Sequence, residues 1–119
     1  MFLDLPLIRG DEAPHAPHLA IHADPWPGQT AVYVAPADHG YRLNSLVTER
    51  ATIGISQTPL HAARAGIPDH GPGLVIDLLH GACASASWAD VLNGANLYAI
   101  GDPEAGRWEL FQFAEAALL

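Results

Sequence analysis

The chain has no lysine at all. Five arginines stand against 13 acids, for a formal charge of −8. Phosphate neutralisation needs clustered cations, so this balance speaks against nucleic acid as a partner. The same sign disfavours anionic membrane surfaces. A single cysteine, Cys83, rules out an intramolecular disulfide framework. It lies in G-A-C-A-S-A, and its small neighbours predict a small buried hydrophobe. No run approaches the roughly 20 apolar residues that a spanning helix requires, so membrane insertion is not expected. The apolar start at Met1 is broken by Asp4 and Pro6 and has no basic flank, unlike a signal peptide. Charged residues make up only 15% of the chain and hydrophobic ones 50%, which excludes a disordered acidic tail. Its 119 residues suffice for one domain with one core.

What is present is short apolar alternation cut by proline and glycine. Leu3, Leu5 and Leu7 share a face, with Pro6 assigning that strand to an edge or bulge. Residues 9–17 form a polar, proline-containing connector. Residues 19–23, 30–35, 41–48 and 50–55 read as further strands. Residues 57–73 hold three prolines and three glycines with little periodicity, and read as an exposed loop. Residues 74–79 are apolar on both faces except at Asp77, which predicts a central strand. Residues 85–92 suit a short helix capped by Ser85 or Ser87 and stopped by Asn93-Gly94. Residues 91–113 organise the chain: a turn, a strand at 96–100, a loop at 101–106, then a strand rich in aromatics. Trp108 and Phe111 are the expected core anchors, with Trp88 in the core or at its rim. The sum predicts an all-β domain, an antiparallel sandwich or open barrel of short strands with one or two helical turns.

Catalytic constellations are scarce. Asp38-His39 and Asp69-His70 are adjacent in sequence, which does not orient a ring toward both a carboxylate and a nucleophile. Ser45, Ser56, Ser85 and Ser87 lack a nucleophile elbow. Cys83 has no flanking cation to activate it. Glu104, Glu109 and Glu115 read as solvated acids. Along one strand Glu109 and Glu115 would lie ~20 Å apart, beyond any glycosidase carboxylate pair. His15, His18 and His22 have helical spacing, but Pro14 and Pro17 oppose a helix. The other histidines are single, so neither a metal site nor a cofactor is expected unless distant segments converge. No enzymatic activity is expected. Trp26, in the turn D-P-W-P-G, is the one candidate interface residue. Its indole either folds back or meets a partner. Folding back is favoured, since an exposed indole is costly unless covered.

Five separated motifs occur in order: L-P-L-I-R-G-D-E-A-P-H-A-P, A-D-P-W-P-G, R-A-T-I-G, V-L-N-G-A-N and W-E-L-F-Q-F-A-E-A. Together they resemble the C-terminal portion of the large host-specificity protein of gene transfer agents and related tailed phages. This is the tail-tip, or baseplate-hub, "megatron" protein. The resemblance spans nearly the whole chain and is weakest at 61–72. It implies a single β-rich hub module, residues 1–119, as an excised domain, a naturally truncated gene product or a fragment of a larger chain, and a non-enzymatic role in tail assembly and host attachment. It also implies other tail and baseplate proteins as partners, trimeric self-association, and residence in the tail of a virion-like particle assembled in the bacterial cytoplasm. The family's large barrel domain lies outside this sequence. A carbohydrate-binding or cell-surface-binding β-module is the alternative, on the strength of the aromatic turn. A histidine-dependent metal enzyme is a distant third.

Overall fold

The structure, a computed structural model, describes residues 1–8 and 10–119. The connector expected at 9–17 begins at Arg9, which lies outside the described residues. The chain divides into two compact units, Met1–Ile21 with Cys83–Leu119, and His22–Ala82. Both are β-rich, and the class is all-β, as expected.

In the first unit, β1 (Phe2–Leu3) and β2 (His18–Leu19) form a short antiparallel ladder. The amino terminus donates to the Ala20 carbonyl at 2.8 Å and the Ala20 amide returns to Met1 at 3.0 Å. Both strands are shorter than the sequence alternation suggests. Asp4 and Pro6 stop the first, because proline offers no ladder donor.

The second unit contains β3 (Thr30–Val34) and β4 (Arg42–Val47), then β5 (Ile53–Ser56) and β6 (Ile76–His80). Each pair is antiparallel and each carries a register shift. In the β3–β4 ribbon the shift leaves Asn44 without an opposite residue. Leu43 thereby joins the face of Ala31, Tyr33 and Leu46. All of these are exposed, with Tyr33, Leu43 and Leu46 each more than half open. The opposite face holds the half-buried Thr30, Val32 and Val47.

The β5–β6 ribbon is fastened at the end where its connecting loop begins and ends. The Gln57 amide donates to the Val75 carbonyl at 2.8 Å, and its side chain to Asp77 at 2.8 Å. Thr58 Oγ1 accepts the Val75 amide. The expectation of a central strand at 74–79 is corrected here. Among the described residues β6 pairs only with β5, and Asp77, Leu78 and Leu79 are exposed. Residues 57–73 contain no strand or helix, matching the expected loop.

The first unit resumes with α1 (Trp88–Leu92) and the hairpin of β7 (Leu97–Asp102) and β8 (Arg107–Gln112). Ser87 caps α1: its hydroxyl accepts the Asp90 amide at 3.2 Å and donates to the Asp90 carboxylate at 2.6 Å. Asn93 and Gly94 end the helix. Gly94 has φ +98° and donates to the Val91 carbonyl at 3.0 Å. The hairpin is in register along its length, from Leu97↔Gln112 to Asp102↔Arg107. Its turn is held by the Asp102 carboxylate, which accepts the Glu104 amide at 2.9 Å. Gly101 is required by crowding, since a Cβ there would overlap the Arg107 carbonyl.

Among the described residues the strands form four separate two-stranded sheets, not one sandwich or barrel sheet. Proline-containing segments follow β1, β3 and β5 and break the runs that longer ladders would need. The only buried hydrophobics among them are Leu3 and Val91. Trp108 and Phe111 are half-buried, so they line the core's margin rather than anchor it. Trp88, expected in the core or at its rim, is 47% exposed. A five-residue helix has one short inward stripe, and Val91 occupies it.

Candidate functional site

Trp26 lies in the turn between His22 and β3, where Gly28 has φ +86°. The indole is half-buried, and its Nε1 donates to the Thr48 carbonyl at 3.2 Å, just past the end of β4. The donor that an indole must satisfy is thus taken up inside the unit. The ring itself stays partly open beside the ribbon whose outer face bears Tyr33, Leu43 and Leu46.

The acid–histidine pairs are not assembled as catalytic dyads. The Asp38 carboxylate accepts the Tyr41 hydroxyl, and that bond, with a smaller effect of burial, raises the Tyr41 phenol above its ordinary value. Asp69 accepts the Gly71 amide at 3.0 Å in a local turn. Glu104, Glu109 and Glu115 are exposed. Cys83 is half-buried and its thiol donates to the Tyr98 hydroxyl at 3.7 Å. Burial first, and then Cys83, raise the Tyr98 phenol. Among the described residues, no group of three or more His, Cys, Asp and Glu side chains is placed to hold a metal ion. No described helix is long and apolar enough to cross a membrane.

Polar side chains in the first unit do tie separate segments together. Asn96, in the left-handed region at φ +51°, donates through one amide to the Ala84 carbonyl at 2.9 Å and the Phe113 carbonyl at 3.0 Å. Gln112 donates to the Val91 carbonyl at 2.7 Å and the Ala95 carbonyl at 2.9 Å. The Ser85 hydroxyl both donates to and accepts from Ala116. Tyr98, Phe111 and Phe113 cluster beside them, with Tyr98 and Phe113 centroids 5.3 Å apart. Near Tyr98 an open pocket of about 850 Å³ is lined by Asp11, Glu12, His18, Asn93, Asn96 and Tyr98 among others. Glu12 accepts the Ile8 amide at 2.6 Å and meets His18 Nε2 at 3.2 Å. In the sequence Asp11 and Glu12 read only as connector residues and His18 only as one of three histidines at helical spacing; their place in a pocket with Asn96 depends on chain closure.

A family model described as Rcc01698-like, C-terminal, matches residues 51–119. The chain belongs to this family. The matched span is more than half of the chain and takes in β5, β6, α1, β7 and β8. The matched span therefore includes the Asn96 and Gln112 ties, whereas Trp26 and the β3–β4 ribbon precede it. No curated protein and no solved structure matches the chain.

Proposed function

We propose that this chain is a non-enzymatic structural module of a phage-like tail tip or baseplate hub, of the gene transfer agent kind, serving tail assembly and host attachment. One observation carries the reading: the apolar outer face of the β3–β4 ribbon, where Tyr33, Leu43 and Leu46 are all exposed. Contiguous exposed apolar side chains are costly in a free monomer and are typical of surfaces that another protein covers. Isolated two-stranded ribbons are also marginal in water, so neighbouring subunits would supply part of their stability. Membership of the Rcc01698-like C-terminal family and the five ordered motifs support the same reading. Other tail and baseplate proteins are the partners it calls for, with trimeric self-association in the particle, and the tail is its location.

Particles from a strain carrying Leu43→Glu together with Leu46→Glu test this. The altered chain should fold and melt as before, yet be missing from purified particles, which then lose attachment. Intact, fully active particles from a strain lacking the chain altogether would sink the reading.

A second reading, a module that binds cell-surface carbohydrate, is favoured by the open pocket of the first unit. Its Asp11, Asn93 and Tyr98 supply acceptors, a donor and a ring face, the groups that sugars use. A glycan array probed with the intact chain and with Tyr98→Ala tests it. Signals that are equal for both proteins, or blank for both, would remove it.

A further inference from the structure

Histidines scattered along the sequence become metal ligands only where distant segments meet. The second unit brings one such pair together: the rings of His22, before β3, and His80, the last residue of β6, have centroids 5.9 Å apart and planes inclined by 33°. We propose that His22 and His80 form a two-imidazole site for a divalent transition-metal ion of the zinc and copper class, with water completing the coordination.

Geometry is the first support. Two imidazoles sharing one ion at about 2.0–2.1 Å from each nitrogen bring their centroids to roughly 4.5–5.5 Å. A small rotation of either ring closes the difference. His80 stands on a paired strand, opposite Ile53, so its backbone is already placed. The second support is independent of spacing. His22 Nδ1 is shielded from solvent and has no hydrogen-bond partner. Buried polar atoms are nearly always satisfied, and an orphan ring nitrogen next to a second imidazole is what an ion would resolve. His18 also has an orphan Nδ1, but its other nitrogen meets Glu12 rather than another ring.

Chemistry selects the ion. Neutral imidazole suits zinc, copper and nickel, whereas magnesium and calcium prefer oxygen. Affinity should follow the usual order, with copper above zinc. Both residues are half-buried, so an ion can reach them from solvent. The acidic net charge of the chain favours cation approach.

The test is calorimetric titration of the full chain with zinc chloride and with copper sulfate, with copper EPR beside it. One ion per chain is expected, with two nitrogen couplings in the EPR spectrum. His22→Gln and His80→Gln should each weaken binding at least about tenfold, since even outer-sphere partners of metal ligands are worth that much. His18→Gln should leave the affinity unchanged. Zinc affinity that is untouched by both His22→Gln and His80→Gln would overturn the proposal, as would no binding at all. If either variant fails to fold, copper-induced NMR broadening of the unaltered protein decides. Selective broadening of the His22 and His80 ring signals supports the site; broadening elsewhere overturns it.

Discussion

The two units are built from the same material, antiparallel hairpins, and fasten it in different ways. The first unit holds eight acids against two arginines, a formal charge of −6, and the second holds five against three, a charge of −2. Yet the more charged unit contains both buried hydrophobics, Leu3 and Val91. The less charged one has no buried hydrophobic among the described residues, and Tyr33, Leu43, Leu46, Ile55 and Leu79 are exposed there, as Phe2, Leu7, Trp88 and Leu92 are in the first. The difference follows from how each hairpin is fastened. In the first unit Asn96, Gln112 and Ser85 reach across to backbone carbonyls of other segments and hold a helix and strands together. In the second, the hydrogen bonds at Gln57 and Thr58 fasten one ribbon to itself.

The sharpest way to break this contrast is to truncate one leucine in each unit. Leu3→Ala should cost about 2–3 kcal/mol, the lower part of the range for buried leucines, because Leu3 lies at a short ladder. Leu43→Ala should change stability by no more than about 0.5 kcal/mol, as expected for an exposed position. Urea unfolding of both variants measures the pair. Equal losses would show that the β3–β4 face is covered in the free chain.

Asn96 comes next. Asn96→Ala removes two hydrogen bonds to the Ala84 and Phe113 carbonyls and strains a left-handed residue, for a loss of about 1–3 kcal/mol. Asn96→Gly relieves the strain without restoring the bonds. Thermal melts of the two variants separate the contributions. If glycine recovers full stability, the side-chain ties add nothing.

These ties also mark the limit of what could be read from the residues. The helix at Ser87, its stop at Asn93-Gly94 and the in-register hairpin beyond it follow from capping and turn chemistry, which act over a few residues. Strand existence was legible in the same local way, though the ends of β1 and β2 were not. The face that each residue takes was legible only where no bulge intervenes. Alternation alone sets Leu43 opposite in facing to Leu46, and the shift at Asn44 brings the two together. Burial was the least legible. Trp108 reads as a core anchor from its size, yet the hairpin packs it halfway, opposite Gly101. Trp108→Ala should therefore cost about 2 kcal/mol, short of the 3–5 typical of a buried tryptophan. The meeting of His22 with His80, and of Asp11 and Glu12 with Asn96, depends on chain closure, which no local pattern encodes.

The smallest effect contrasts two tyrosines. Tyr98, in the first unit, is raised above 10.0 chiefly by burial, with Cys83 adding to it. Tyr41, in the second, is raised chiefly by its hydrogen bond to the Asp38 carboxylate. In both cases folding favours the protonated phenol. Each contribution to stability is therefore fully present below the unfolded value of 10.0 and lost as pH rises through the folded one. Ultraviolet titration of phenolate in Tyr41→Phe and Tyr98→Phe isolates each group. Cys83→Ala should lower the Tyr98 midpoint only part of the way toward 10.0, because burial remains. Asp38→Asn should remove most of the Tyr41 shift, because the carboxylate is its main cause. A Tyr98 that returns fully to 10.0 in Cys83→Ala would mean that the aromatic cluster with Phe111 and Phe113 does not shield it, and the first unit would then be as open as the second.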